Sequence, residues 1–179
     1  LMKKQNNIAD NVEKLRNDAI SKLGENIKLR RFIIKNMNEE SFIGGYTHNN
    51  KIGALVMLQN RDETLAKDIC MQIVASNPLA LDHESLDKKT IESEKEIYMA
   101  ELNKIDKKDD IKRNILDGKI KRFINENTLL NQPFIKDSTT TLNRIIKNNK
   151  VLGFYRYQLG EGIKKADDNF AEEVYNQIK

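Results

Sequence analysis

Tryptophan is absent from this 179-residue sequence, cysteine occurs once and proline twice. A single cysteine, Cys70, excludes an internal disulfide, and its place in the apolar-patterned run AKDICMQIV is that of a small buried thiol. No apolar run approaches the roughly eighteen residues that a membrane-spanning helix requires. The opening stretch LMKKQNNIADNVEK lacks the apolar block and small-residue cleavage site of a secretory signal, so a cytoplasmic protein is expected. Also missing are a GxxxxGK phosphate loop, an HExxH motif and any pair of cysteines at zinc spacing. His48, His83 and Cys70 fall in a hairpin tip, a connector and a buried helix face, so a metal centre or triad made from them would need three unrelated segments to converge. No catalytic residue, metal or cofactor is expected, and the chain is not read as an enzyme.

What the sequence has in quantity is charge. Charged residues make up 32% of it and hydrophobic ones 39%, the balance of a helix-rich protein with a broad solvated surface. The length suffices for one domain, or one domain with an appendage, with a core that needs no covalent staples. The net charge of +4 and isoelectric point near 9.0 are spread along the chain without a basic block, which is weak evidence for an anionic partner.

Residues 1–24 carry a helical pattern, with Ile8, Val12, Leu15, Ala19, Ile20 and Leu23 at helical spacing and Gly24 as the left-handed stop. Residues 25–89 are expected to form a core of sheet and helix. IKLRRFIIK and SFIGGYTH predict two strands, the second weakened by its glycine pair, and KIGALVML predicts a third. The short join YTHNNK places His48 at a hairpin tip, because asparagine tolerates the positive backbone angles of a tight turn. From Asp62 the period becomes helical, with Leu65, Ile69, Ile73 and Val74 on one face, Asp62 or Thr64 as cap and Pro78 beyond the end.

Between residues 90 and 128 the apolar positions thin to a narrow stripe. Ile91, Tyr98, Leu102 and Ile105 run out, and Ile111, Ile115, Ile120, Phe123 and Ile124 return after DKKDD. Nine acidic and nine basic side chains share the segment, so a charged antiparallel helical hairpin, protruding as a coiled-coil arm, is expected. Gly118 should cost about 1 kcal/mol there relative to alanine. Residues 129–163 return to the core through an extended stretch at Pro133, a short helix capped by Ser138 or Thr139 with Leu142, Ile145 and Ile146 inward, and a last strand in VLGFYRYQL. Residues 164–179 predict an amphipathic C-terminal helix module with Phe170, Val174 and Ile178 at spacings of four and an acidic first turn. Its apolar face is too narrow for a core of its own and suits folding back or docking in a groove.

Five of these motifs, in this order and spacing, resemble the bacterial elongation factor Ts family: GENIKLRR, YTHNNKIGALV, AKDICMQIVASNP, NQPFIKD and GFYRYQLGEGI, with a charged hairpin before the fourth. The resemblance covers nearly the whole chain. It implies an α+β fold, an antiparallel sheet packed with helices, a coiled-coil arm and a C-terminal helix module. It implies a partner, the GTPase elongation factor Tu, whose release of GDP members of the family accelerate. Carried over residue by residue, it places partner contacts at Leu23 and Gly24, at His48, at Ile135, and on the C-terminal helix at Phe170, Val174 and Ile178. Each of the first group has a packing alternative: Leu23 as the last core position of a helix, Gly24 as a cap, Ile135 as an inward strand residue.

The family also carries an N-terminal helical domain and a Thr-Asp-Phe-Val motif that disturbs the partner's magnesium site, and neither precedes Leu1. The expectation is therefore a fragment or short form with its docking surface kept and its exchange activity weakened; DDNF at Asp167–Phe170 aligns with the C-terminal module and does not replace the motif. The alternative is a basic RNA-binding or ribosome-associated module using Lys28, Arg30, Arg31, Lys112, Arg113, Lys119, Lys121 and Arg122, which predicts steep salt dependence. Nucleic acid and membrane are not the expected partners, and self-association is left open.

Overall fold

A computed structural model describes residues 2–35 and 41–163. The chain divides into two compact units, residues 1–37 and residues 38–179.

The first unit is built on α1, Met2–Leu23. Gly24 ends it at φ +70°, its N–H donating to the Ile20 carbonyl at 2.9 Å, the left-handed stop expected of that glycine. The strand predicted in IKLRRFIIK does not form: residues 26–35 adopt no regular secondary structure, and Leu29, Phe32, Ile33 and Ile34 are exposed. β-Branched and aromatic content describes a residue's fit to a sheet, and a strand exists only where a neighbouring ladder completes it.

The second unit is α+β. Strands β1 (Phe42–His48), β2 (Ile52–Leu58) and β5 (Val151–Gln158) form an antiparallel sheet in the order β1-β2-β5. The hairpin between β1 and β2 pairs Phe42 with Leu58 and His48 with Ile52, which puts Ala54, Val56 and Leu58 on the buried face. Helix α2, Glu63–Ser76, lies on that face with Leu65, Ala66, Ile69, Cys70 and Ile73 buried. Asp62 is the cap, its carboxylate accepting from the Leu65 N–H at 2.9 Å, and Asn77 closes the helix in the left-handed region before Pro78. Full burial of a side chain such as Ile69 stabilises the fold by about 1.5–3 kcal/mol.

Gly44 turns out to be a packing requirement. A Cβ added there would stand 2.3 Å from the Ala66 Cβ, so the bare backbone of β1 is what admits α2 so close to the sheet. The weak middle expected of this strand is the place where strand and helix make their closest approach.

Helices α3 (Lys88–Asn103) and α4 (Asp109–Asn127) form an antiparallel pair. Asp87 caps α3 through the Lys89 N–H, and Asp109 and Asp110 supply negative charge to the first turn of α4. Leu102 is buried between them, while Tyr98, Ile115, Ile120, Phe123 and Ile124 are half-buried. Ile105 and Ile111, expected in the seam, are exposed at its far end, where the helices part into the connecting turn. Lys119 Nζ lies 2.6 Å from the Glu101 carboxylate and 4.7 Å from the Tyr98 ring centroid. The helix runs unbroken through Gly118. At the base of the pair the chain leaving for α3 and the chain returning from α4 lie side by side: Ala80 bridges Thr128 in parallel, with Leu129 N–H donating to Ala80 O at 2.9 Å and Leu130 N–H to Leu81 O at 3.0 Å.

A short hairpin follows, β3 (Pro133–Phe134) with β4 (Asp137–Thr141), then α5, Leu142–Ile146. Neither Ser138 nor Thr139 caps that helix. Both belong to β4, and the Asp137 carboxylate accepts from the Thr139 N–H and hydroxyl instead. Those bonds hold the Asp137 carboxyl below its ordinary range. Leu142 and Ile146 complete the core as expected, with Ile145 against its edge. The expected C-terminal helix, with Phe170, Val174 and Ile178, lies outside the described residues.

Candidate functional site

His48 ends β1 and opens the turn to β2. Asn49 and Asn50 take φ of 50° and 54°, and the Lys51 N–H donates to the His48 carbonyl at 3.0 Å. Two mirror-image residues in succession are the torsions that match a hairpin's twist, and asparagine adopts them at small cost. The imidazole stands exposed at this tip with both nitrogens engaged. Asn49 Nδ2 and His48 Nε2 are 3.2 Å apart, as are the Tyr46 hydroxyl and His48 Nδ1. The imidazole has a hydrogen-bonding partner on each side, the Tyr46 hydroxyl at Nδ1 and the Asn49 amide at Nε2. The ring is thus exposed yet oriented.

Ile135 occupies a second turn. Phe134 pairs with Asp137, leaving Ile135 and Lys136 as the two residues at the bend, and Ile135 is 47% exposed. The inward-facing alternative for this residue does not hold. Lys136 Nζ reaches Asp68 on α2 at 2.6 Å. Beneath the bend, Gln72 of α2, 1% exposed, accepts from the Ile135 N–H at 2.8 Å through its side-chain oxygen. Its Nε2 lies 3.1 Å from both Pro133 O and Gln132 Oε1. Gln132, also buried, accepts from the Ser76 hydroxyl at 2.6 Å and donates to Glu126 O, in the last turn of α4, at 2.7 Å. The amides of Gln72 and Gln132 are therefore satisfied wholly from inside the fold.

Sequence reasoning missed this pair. The signal was present: Gln72 stands three residues after Ile69 and next to Ile73, a polar group on the apolar arc of α2, and a polar group buried there must find partners.

In the first unit, Leu23 is 66% exposed and so is no core position, and a Cβ on Gly24 would meet nothing within 4 Å. Helix α2 is what His48 and Ile135 have in common. Its Ala66 and Cys70 lie against Gly44 of the His48 strand, and its Gln72 holds the Ile135 turn. Phe170, Val174 and Ile178 lie outside the described residues.

The other reactive side chains are dispersed. Cys70 is buried, its thiol 3.6 Å from Gly44 O, and burial pushes it up to about 11 against a weaker opposing hydrogen bond from Val56. His83 lines a cleft of about 430 Å³ beside Ile91, Ile120 and Ile124 at the base of the helix pair. Among the described residues no group of three His, Cys, Asp or Glu side chains is placed to hold a metal ion, and no helix is long and apolar enough to cross a membrane. Of the basic residues considered for nucleic acid, Lys119 pairs with Glu101 and Arg122 with Glu126, which removes net positive charge from that face.

Within the α+β second unit, two of the candidate residues, His48 and Ile135, stand exposed at turns between paired strands. The family model for "Elongation factor TS" matches residues 1–161. Curated proteins named Elongation factor Ts align along most of the chain: that of Legionella pneumophila (strain Lens) is 41% identical over 94% of this chain, that of Ruthia magnifica 40% over 95%, and that of Thioalkalivibrio sulfidiphilus 40% over 98%. The chain belongs to the elongation factor Ts family. It spans 58%, 58% and 60% of the length of these three relatives.

Proposed function

We propose that this chain binds the GTPase elongation factor Tu in the cytoplasm and promotes its release of GDP, by recognition alone and without bond-breaking chemistry of its own. An exchange factor works by differential affinity: it holds the nucleotide-free partner more tightly than the nucleotide-bound one, and so lowers the partner's hold on nucleotide. Contacts come from Leu23 and Gly24, from the His48 tip, from Ile135, and from Phe170, Val174 and Ile178 of the C-terminal segment. The pair α3–α4 acts as a projecting coiled-coil arm.

The observation that carries this reading is the oriented, exposed imidazole of His48, in a chain of this family, at a tip where a side chain contributes to contact and little to the core. Its test is stopped-flow release of labelled GDP from elongation factor Tu with and without the chain, beside calorimetry of the same pair. Faster release and measurable binding are expected; indifference of the two proteins overturns the reading. His48→Ala should weaken binding by about 1 kcal/mol or more, as interface anchors do when truncated, with the thermal transition unchanged. Unaltered affinity removes His48 from the surface.

A further inference from the structure

The two turns hold their shapes by different means. The His48 turn is self-supporting, because Asn49 and Asn50 carry the positive φ that a tight hairpin demands. At the other turn Ile135 and Lys136 have no positive φ, although only two residues separate the paired positions Phe134 and Asp137. A bend of that kind splays its strands, and a ribbon with a two-residue first strand has little stability of its own. Its shape must come from outside.

Gln72 supplies it. This one side chain takes the Ile135 N–H on its oxygen and gives its nitrogen to Pro133 O, so it grips the backbone on both sides of Phe134. Its own rotamer is fixed by Gln132 and by burial in α2, the helix whose Ile69 and Ile73 are fully buried. We propose that Gln72 is a positioning residue for partner recognition: locked by Gln132, it holds the Ile135 turn in the shape the partner GTPase grips, without touching the partner itself. This rests on the docking function proposed above. A contact group on a pre-shaped turn binds without the ordering cost that a loose one must meet, so loss of Gln72 reads out as loss of affinity through Ile135.

The test is a double-mutant cycle on the full chain, with affinity for nucleotide-free elongation factor Tu measured by calorimetry and folding followed by thermal melting. Ile135→Ala alone should weaken binding about fivefold to tenfold. Gln72→Met, close in volume and without the amide, should weaken it to a similar degree in the native background and by less than about twofold once Ile135 is alanine, since residues acting through one contact do not add. Losses that add in full, or a lowered melting temperature with unchanged affinity, overturn the proposal and make Gln72 structural only. An Ile135→Ala variant that binds normally fails the docking reading at this turn and takes the proposal with it, a result distinct from the additive one. Should Gln72→Met not fold, Gln72→Asn, which withdraws the oxygen from the Ile135 N–H by one methylene, enters the same cycle. In the unmodified chain the Ile135 amide should exchange with solvent slowly for so exposed a residue; exchange at the unprotected rate overturns the assignment.

Discussion

Two pairs of surfaces in the second unit are held together by opposite strategies. Where α2 meets the sheet, Ile69, Cys70, Ile73, Val56 and Leu58 are fully buried and Gly44 lets backbone approach backbone. Where α3 meets α4, only Leu102 is buried, and the remainder is a half-covered stripe flanked by pairs such as Lys119 with Glu101. Exposed ion pairs are individually worth little. Stability therefore concentrates in the body, and the helix pair is the region whose local opening should cost least.

The sharpest way to break that contrast is at the closest approach in the body. Gly44→Val should destabilise the whole second unit by about 3 kcal/mol, because its side chain must displace α2 from the sheet. A single shifted transition in urea would show it. The matching change in the helix pair, Leu102→Ala, should cost about 2–3 kcal/mol, and the loss should appear as faster amide exchange confined to α3 and α4. If it shifts the whole unit's transition equally, the two regions are one cooperative body and the contrast fails.

A third experiment probes the body by pH. Burial raises the Cys70 thiol from 9.0 to about 11, so the folded state keeps its proton where the unfolded state releases it. Below pH 9 the stability is undiminished; as pH rises from 9 through 11 it falls, the loss reaching about 2 kcal/mol. Comparing the chain with Cys70→Ala between pH 8 and 11 isolates that slope from other titrating groups. The smallest effect belongs to the helix pair. A Cβ at Gly118 would meet nothing within 4 Å, so Gly118→Ala should stabilise α4 by about 1 kcal/mol, visible as slower exchange across its middle turns.

The same contrast governs how much was legible in advance. The hairpin of β1 and β2, helix α2 and strand β5 follow from alternation, from helical spacing and from the residues that punctuate them, Asn49, Asn50, Asp62 and Pro78. All are local signals. IKLRRFIIK misled because strand propensity says nothing about whether a pairing partner is at hand. Asp137–Thr141 misled in the other direction: residues typical of a helix cap were recruited into a two-stranded ribbon. Gly44 read as a weakness because its purpose lies on another element, in the methyl group of Ala66. Of the candidate site, the exposed tip at His48 could be placed from its turn residues, whereas Ile135 and Leu23 could not be sorted between core and surface. Their exposure depends on neighbours distant in sequence. Gln72 and Gln132, sixty positions apart, belong to the same class of long-range fact.

The parallel bridge at Ala80 and Thr128 gives the helix pair a closed doorway: the chain departs and re-enters through adjacent, mutually bonded threads. Beyond that threshold the body also holds the last turn of α4, through Gln132 on Glu126 O and Leu79 on Asn127 O, so only the part of the helix pair past that turn is left to vary in length. Lengthening such a loop costs little in closure entropy, only about 0.6 kcal/mol for each doubling. Evolution, or a protein engineer, thus has room to trim or extend the far end of α3 and α4, provided the last turn of α4 that Gln132 grips is kept.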